Sequence, residues 1–269
     1  MRIIVCVKQV PDTTEVRIDP VTNTLVREGV PSILNPYDQF ALEEGIRIRD
    51  VVGEGTITVL SMGPPQARSA LMKCLALGAD NAILLSDRAF AGADTWATSF
   101  TLVEAIRKIG DFDIILCGQQ AIDGDTAQVG PEIAQGLGIP QVTYVEEISK
   151  IENGTLELRK QTEEGYEIID ADSPVLLTLL PSTSFEPGIP SMRGILKAKK
   201  KPYDVWDAST LGSDPSQFGL EGSFTQVVRT YAPPSRGKGL ILQGNPSEAI
   251  SELVSSLVRD RIIQGGQCR

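Results

Sequence analysis

Short runs of aliphatic and β-branched residues alternate with amphipathic segments through the first half of the chain. The runs predict buried strands at Ile3 to Val7, Thr56 to Leu60, Ala82 to Leu85 and Asp113 to Cys117. Between them apolar residues recur at helical spacing, with helix starts at Pro36, Pro64 and Asp94. This alternation predicts an α/β fold with a doubly wound parallel sheet, covered by helices on both faces.

After residue 140 the pattern becomes that of antiparallel strands. Strands are predicted at Thr143 to Ile151, Thr155 to Lys160 and Tyr166 to Ile169. Asn153-Gly154 is a strong hairpin turn between the first two. Val175 to Leu180 is apolar enough to rejoin the main sheet. We therefore expect a β-hairpin excursion at 143–170.

The last quarter of the chain has a different character. From residue 202 to Gly244 it is rich in Gly, Pro and Ser with little periodicity, which predicts an extended C-terminal arm that crosses a partner's surface. Asn245-Pro246-Ser247-Glu248 then predicts a helix start. Its apolar stripe, which must dock on something, is Ile250, Leu253, Val254, Leu257 and Val258. We divide the chain into an α/β domain at 1–200 and an arm with a helix at 201–269.

Composition excludes several functional classes. A net charge of −10 argues against a duplex nucleic-acid binder. No apolar run reaches the roughly 18 to 20 residues of a membrane span, and the apolar start is too short for a signal peptide, so we expect a soluble cytoplasmic protein. The chain has no histidine, and its 4 cysteines form no metal-site pattern. Any catalysis would therefore depend on a bound cofactor.

The most informative segment runs from Cys117 to Pro131. It leaves a predicted strand, turns through small and polar residues, and enters a helix predicted from about Asp125. Ligands of doubly wound folds bind beyond the carboxyl ends of the strands, and a helix N-terminus favours phosphate. Gly124 would let the backbone approach the ligand closely. The segment therefore predicts an adenine nucleotide or dinucleotide site, with a capped turn that binds nothing as the alternative.

Polar side chains of this loop have candidate roles. Thr126 and Gln128 can add hydrogen-bond donors. Asp123 and Asp125 would repel a bare phosphate, so we interpret them as helix caps or as partners of ribose hydroxyls and the adenine amine. The loop is neither a P-loop nor a GxGxxG fingerprint. A competing hypothesis is a stand-alone protein that binds or hydrolyses an adenine nucleotide. An ATP pyrophosphatase would have a Ser-Gly-Gly phosphate loop directly after the first strand, and this chain has Lys8-Gln9-Val10-Pro11-Asp12 there instead.

Several motifs in order resemble the β subunit of the electron-transfer flavoproteins over about residues 2 to 201. They are Val5-Cys6-Val7-Lys8-Gln9-Val10-Pro11-Asp12, Asn35-Pro36-Tyr37-Asp38, Ser61-Met62-Gly63-Pro64, the Gly118 to Pro131 loop, and Lys197-Ala198-Lys199-Lys200-Lys201. The resemblance implies a fold of the adenine nucleotide alpha hydrolase type. It also implies an αβ heterodimer in which the α subunit holds a redox-active FAD, while an adenine nucleotide lies in the β subunit.

The resemblance assigns the β site by position. The implied cofactor-binding residues are Cys6, Asn35, Pro36, Tyr37, Asp38, Met62, Gly118, Gln119, Gln120, Ala121, Ile122, Asp123, Gly124, Asp125, Thr126, Ala127, Gln128 and Val129. Housekeeping members hold a structural AMP there and tend to be more acidic around position 124. Electron-bifurcating members hold a second FAD, and Gly-Asp-Thr-Ala-Gln-Val-Gly-Pro from Gly124 resembles theirs.

The bifurcating members imply a set of electron partners. NADH (NAD as substrate) gives a hydride at the β-site FAD. One electron passes through the α-subunit FAD to an acyl-CoA dehydrogenase-like flavoprotein, and the other to ferredoxin or flavodoxin. A non-bifurcating carrier with AMP in the β site is the alternative.

A second family feature is an exposed recognition loop at 183–196 that anchors on the dehydrogenase. Met192 takes the place of the anchoring leucine. The alternative is that the segment is an ordinary loop and that Met192 packs in this chain's own core. The sequence departs from the family at Gly188, where an arginine is usual, and at Ile189, where an aromatic residue is usual.

Two further groups have alternative interpretations. The lysines at 197 and 199–201 either steer acidic redox partners or balance a helix dipole at a solvated helix end. Cys6 and Cys117 end predicted strands, and because neither has a neighbouring cysteine we interpret them as buried packing residues.

Overall fold

The computed structural model describes residues 1–12, 17–18, 25–26, 31–182, 185–228, 239 and 241–263. These residues belong to two compact units, Met1–Thr230 and Tyr231–Arg269.

The first unit contains all the strands of the described residues. They are β1 (Arg2–Cys6), β2 (Gln9–Pro11), β3 (Arg17–Ile18), β4 (Leu25–Val26), β5 (Ser32–Leu34), β6 (Thr56–Met62), β7 (Asn81–Leu85), β8 (Ile114–Gly118), β9 (Gln141–Glu152), β10 (Thr155–Gln161), β11 (Tyr166–Asp172), β12 (Val175–Leu179) and β13 (Tyr203–Trp206). Its α-helices are α1 (Pro36–Val52), α2 (Arg68–Leu77), α3 (Thr95–Ile109), α4 (Val129–Leu137), α5 (Met192–Ala198) and α6 (Ala208–Leu211).

A 9-stranded sheet runs through this unit in the order β11-β10-β9-β12-β8-β1-β6-β7-β13. All neighbours from β9 to β13 in this order pair in parallel, while β10 pairs antiparallel with β9 and β11. The chain leaves β1 towards β6 and β7, then crosses to β8 on the other side of β1. The order of the strands therefore reverses at β1, which is where doubly wound folds bind ligands.

Both faces of the sheet are buried at its central strands β12, β8, β1, β6 and β7, as the apolar runs predicted. In β1, Ile3 and Val5 pack in one core, whereas Ile4 and Cys6 pack in the other. Residues of α1 and α2 complete the first core, and residues of α3 and α4 complete the second. Alternate side chains of a strand point to opposite faces, so a strand buried on both sides must be continuously apolar. The predicted α/β fold class is confirmed.

The hairpin turn is also confirmed. Asn153 and Gly154 have φ angles of 51° and 87°, as a two-residue turn of type I′ requires. The strands that it joins, β9 and β10, are continuous with the main sheet, because β9 pairs with β12.

The prediction of an irregular segment after residue 202 is wrong for its first part. β13 pairs with β7 at the edge of the sheet, and α6 follows it. Phe218 is buried, with its ring centroid 5.1 Å from that of Phe90. An edge strand of four residues with exposed positions gives little periodicity, so composition alone did not reveal it.

The second unit contains α7 (Pro246–Arg259). Asn245 and Glu248 form the predicted capping box, with the Asn245 side chain accepting from the Glu248 amide at 3.0 Å. None of the residues of α7 is buried, and its apolar stripe is largely exposed. None of the helices in the described ranges has the length and hydropathy needed to cross a bilayer.

Candidate functional site

The predicted site residues lie together at the carboxyl edge of the central strands. Cys6 pairs in register with Leu60 of β6 on one side and with Cys117 of β8 on the other. Met62 and Gly118 end the flanking strands. The structure therefore brings these strand ends, the N-terminus of α1 and the loop after β8 to one rim.

Asn35 connects the start of α1 to the loop after β8. Its side chain is buried and makes no cap bond to α1. The Asn35 Nδ2 donates to the Gln120 carbonyl at 2.9 Å, and its Oδ1 accepts from the Ile122 amide at 3.3 Å. Asn35 thus fixes the first turn of the loop. Because its side-chain nitrogen and oxygen both bond to the loop backbone, they are not directed at a ligand.

Asp38 joins the ends of two strands. Its Oδ2 accepts from the Lys8 amide at 2.7 Å, and its Oδ1 accepts from the Gly118 amide at 3.2 Å. Burial raises the pKa of this carboxyl to about 7, against the opposing effect of those backbone donors. The Asp38 carboxylate therefore holds the backbone after β1 and the end of β8 together at the rim.

The glycines of the loop have different reasons to be glycine. A Cβ at Gly118 would lie 2.6 Å from the Tyr37 Cβ, beside Pro36 in the first turn of α1. A Cβ at Gly130 would lie 2.6 Å from the Thr178 Cγ2. At Gly124, by contrast, a Cβ would have no described atom within 4 Å. The protein's own packing requires the first two glycines but not Gly124.

The turn around Gly124 is closed on itself. The amides of Gly124 and Asp125 both donate to the Ala121 carbonyl, at 3.2 and 2.9 Å. The predicted helix start at about Asp125 is wrong, because α4 begins at Val129. Asp123 and Asp125 are not helix caps either.

Both carboxylates have other partners. Asp123 pairs with Lys8 Nζ at 2.7 Å, and Asp125 Oδ1 accepts from Gln120 Nε2 at 3.0 Å. The helix-cap interpretation failed because the loop continues for three residues beyond Asp125 before α4 begins.

Unpaired amides follow this turn. The backbone N–H groups of Thr126, Ala127, Gln128 and Val129 donate to no acceptor among the residues that the structure describes. The Thr126 and Gln128 side chains are likewise without a bond there, and Gln128 precedes α4 without capping it.

Two successive residues of this stretch have backbone conformations of opposite hand. Ala127 has a φ of 54° and Gln128 has a φ of −98° with ψ of −33°. Successive left- and right-handed residues turn their N–H groups into one concavity, which binds anions. A left-handed alanine is strained, and such strain is concentrated at functional sites. The stretch at 126–129, whose amides have no acceptor among the described residues, is therefore the part of the loop best suited to a phosphate.

Sequence reasoning missed a buried network behind the loop. The Gln119 Oε1 accepts from the Thr178 hydroxyl at 2.6 Å and from the Tyr144 amide at 3.0 Å. Tyr144 has a φ of 58° and lies where the pairing of β9 with β12 shifts register. Gln119 is buried, so its side-chain oxygen supports this bulge. A left-handed tyrosine leaves no signal in the sequence.

Cys6 and Cys117 are neighbours in space. The expectation that neither has a neighbouring cysteine is wrong, because adjacent strands pair them in register. A side-chain hydrogen bond with Cys6, followed by burial, raises the pKa of Cys117 well above its usual value. Both side chains are buried, and both pack in the core beneath the rim.

The predicted recognition loop is attached to α1. The Gly188 amide donates to the Glu43 Oε1 at 2.8 Å, and the Gly188 carbonyl accepts from the Gln39 Nε2 at 2.9 Å. A Cβ at Gly188 would lie 3.1 Å from that Glu43 oxygen, so glycine suits this contact. Beyond it Met192 is 73% exposed, which places it outside the chain's own core. Residues 183–184 lie outside the described residues.

One lysine of the basic run has a structural role. The Lys201 Nζ donates to the carbonyls of Leu75 and Ala79 at the C-terminal end of α2, at 3.0 and 2.5 Å. A cation there compensates the helix dipole. Lys201 therefore balances a helix dipole rather than steering acidic redox partners. For Lys197, Lys199 and Lys200 both interpretations remain open.

Comparisons with known proteins identify the relatives of this chain. A family model described as electron transfer flavoprotein domain matches residues 22–211. The electron transfer flavoprotein subunit beta of Thermoanaerobacterium thermosaccharolyticum is 54% identical over 264 residues, covering 98% of this chain and 100% of the relative. The caffeyl-CoA reductase-Etf complex subunit CarD of Acetobacterium woodii is 51% identical with the same coverage. Protein FixA of Bradyrhizobium diazoefficiens is 45% identical, covering 96% of this chain and 91% of the relative.

Proposed function

Because the chain belongs to the electron transfer flavoprotein family as a beta subunit, we propose that it holds FAD at the carboxyl edge of its sheet and transfers electrons together with an alpha subunit. We further propose flavin-based electron bifurcation as the reaction of the complex, in the cytoplasm.

The observation that supports a nucleotide site is the set of amides at 126–129 that have no acceptor within the described part of the chain. They follow a closed turn, precede a helix without a side-chain cap, and lie at the strand-order reversal. Unpaired backbone donors gain a charge-assisted bond from an anion. The pyrophosphate of FAD would lie there, held by these amides with the Thr126 hydroxyl and the Gln128 amide as side-chain donors.

FAD is favoured over AMP by charge. A pyrophosphate carries more negative charge than a monophosphate, and an acid at position 124 would repel it. Gly124 adds neither charge nor bulk, although the protein leaves space for a side chain there. The CarD relative belongs by name to a caffeyl-CoA reductase-Etf complex, which is consistent with a bifurcating assembly.

The chemistry that a bound FAD supplies is oxidation of NADH by two electrons and their release singly. The chain itself has no histidine, so its residues serve to bind and orient rather than to act as a general base of that type. Asn35 and Asp38 hold the loop and strand ends in place. The proposed electron acceptors are an acyl-CoA dehydrogenase-like flavoprotein, through the FAD of the alpha subunit, and ferredoxin or flavodoxin.

The alpha subunit would cover the exposed stripe of α7. Ile250, Leu253 and Val254 of this helix are between 46% and 60% exposed. An apolar stripe of this kind must be buried in an assembly to contribute to stability. We propose that the arm and helix within 201–269 dock on the alpha subunit.

The dehydrogenase would contact the segment around Met192. Ile189 lies in a loop that Glu43 and Gln39 hold to α1, and Met192 begins α5 directly after that loop. Both side chains are exposed. A flexible apolar side chain on a fixed base suits a partner pocket. Met192→Glu should slow electron transfer to the dehydrogenase at least about tenfold while nucleotide content is unchanged. Wild-type transfer in this variant, measured by stopped flow, would exclude Met192 from the contact.

The experiment that tests the proposed function is a measurement of flavin and AMP content in the purified αβ heterodimer. About two flavins per heterodimer support the bifurcating form. One flavin with AMP indicates a non-bifurcating carrier. A protein with neither would refute the nucleotide site.

Gly124→Glu is expected to lower the β-site flavin content several-fold because its carboxylate repels the pyrophosphate. Gly124→Gln is the matched control, since it adds the same bulk without charge. Because a Cβ at this position meets no described atom, both variants should fold normally. Equal flavin loss in the two variants, measured after gel filtration, would mean that the bulk of the side chain rather than its charge lowers the β-site flavin content.

A further inference from the structure

An ion pair links Lys8, two residues after the end of β1, to the loop after β8. The Lys8 Nζ contacts both carboxylate oxygens of Asp123, at 2.7 Å for Oδ1 and 2.9 Å for Oδ2. The two residues are 115 positions apart in the sequence. Neither the loop pattern nor the packing of β1 requires a lysine at position 8.

The lysine end of this pair is fixed by the fold. The Lys8 amide donates to Asp38, and the Lys8 carbonyl accepts from the Asn35 amide at 3.0 Å. The backbone of Lys8 is therefore held on both sides by the start of α1. Only its side chain is free to move, and that side chain is 48% exposed.

The aspartate end lies in the part of the loop that has few other ties. Asn35 holds the loop at Gln120 and Ile122. Among the residues that the structure describes, the Lys8–Asp123 pair is the only polar contact between the stretch from Asp123 to Ala127 and a residue outside the loop. The next residue, Gln128, is tied to α4, because its carbonyl accepts from the Glu132 amide at 3.0 Å. The amides at 126–129, for which the described residues offer no acceptor, follow directly.

We propose that the Lys8–Asp123 ion pair is a latch that closes the loop over the bound nucleotide and slows its release. This inference rests on the proposed function of the loop. Lys8 is thus a positioning residue, which acts on the nucleotide through Asp123. The latch joins one segment fixed by α1 to one segment that would otherwise open, so breaking it frees the amides of Thr126 and Ala127 to move away from the phosphate, while α4 holds Gln128 and Val129.

The effect should be modest and sensitive to salt. Both side chains are partly exposed, and exposed ion pairs have small coupling energies. We expect Lys8→Gln and Asp123→Asn each to accelerate nucleotide release by about two- to fivefold. The difference from the wild type should shrink as salt screens the pair.

The test uses four variants of the αβ heterodimer: Lys8→Gln, Asp123→Asn, the double variant, and the charge swap Lys8→Asp/Asp123→Lys. AMP and FAD are loaded separately and chased with an excess of the same nucleotide. A latch predicts that the double variant releases nucleotide no faster than either single variant, and that the swap restores slow release.

Other patterns would overturn the proposal. If Lys8→Gln alone accelerates nucleotide release and the swap does not restore slow release, Lys8 contacts the nucleotide directly. If the double variant returns to the wild-type rate, Lys8 only neutralises the charge of Asp123. Equal release rates in all proteins would exclude the latch while the nucleotide site stands.

Hydrogen exchange provides a readout that does not need a bound nucleotide. The amides of Gly124 and Asp125, whose hydrogen bonds to the Ala121 carbonyl close the turn, should exchange faster in both single variants than in the wild type, and the swap should restore protection. Unchanged exchange would refute the latch even in a protein that binds no nucleotide. Absence of nucleotide from the wild type would refute the proposed function instead.

Discussion

Gly118→Ala is expected to destabilise the protein by about 3 kcal/mol, because the added methyl group has no space. Its Cβ would lie 2.6 Å from the Tyr37 Cβ and 2.7 Å from the Tyr37 carbonyl carbon, and it would also meet Asp38. Backbone atoms at the start of a helix cannot move aside as a flexible side chain can. The urea midpoint of the purified protein measures this loss.

Gly124→Ala is the matched control in the same loop. Nothing described lies within 4 Å of its Cβ, and the residue has no positive φ. Its stability should stay within about 0.5 kcal/mol of the wild type. If both alanine variants unfold at the same urea concentration, the contact between the strand end and α1 is less rigid than the structure indicates.

Asp38→Asn is expected to change how stability depends on pH. Burial raises the pKa of the Asp38 carboxyl from an ordinary value of 3.8 to about 7 in the folded chain. Between these values the folded chain binds more protons than the unfolded chain, so its free energy of unfolding falls as pH rises. With a limiting slope of about 1.4 kcal/mol per pH unit, the wild type should lose about 2 kcal/mol between about pH 5 and pH 7 that the variant does not lose.

The chain is well suited to this measurement. It has no histidine, so the group that usually titrates in this range is missing from it. Asp38→Asn should also cost about 1–3 kcal/mol at every pH, since one of the two backbone donors loses its acceptor. Glu252→Gln on the exposed face of α7 is the control. Parallel pH profiles for the wild type and Asp38→Asn would show that Asp38 titrates normally.

Local patterns predicted the framework of the molecule well. The strands β1, β6, β7 and β8 lie within one or two residues of the predicted runs. Asp94 caps α3, as its position before the helix indicated, and accepts from the Ala97 amide at 3.0 Å. The site residues meet at the predicted rim because parallel strands end together at one edge.

The details of the site followed local patterns less closely. The sequence placed the phosphate-binding amides near Gly124, whereas the structure closes that turn and leaves the amides at 126–129 without a partner among the described residues. Gly-Asp-Thr after a strand is compatible with either arrangement. The choice depends on the Ala121 carbonyl and the Asn35 side chain, which no local rule connects to the turn.

The sequence by itself determined the buried strands, the helix starts, the hairpin turn and the family. These properties depend on burial, dihedral preference and capping, which neighbouring residues specify within a few positions. Only the tertiary structure decided that Cys6 lies beside Cys117, that Asp38 supports two strand ends, and that Lys8 reaches Asp123. Such partners are far apart along the chain, and the order of strands in the sheet brings them together.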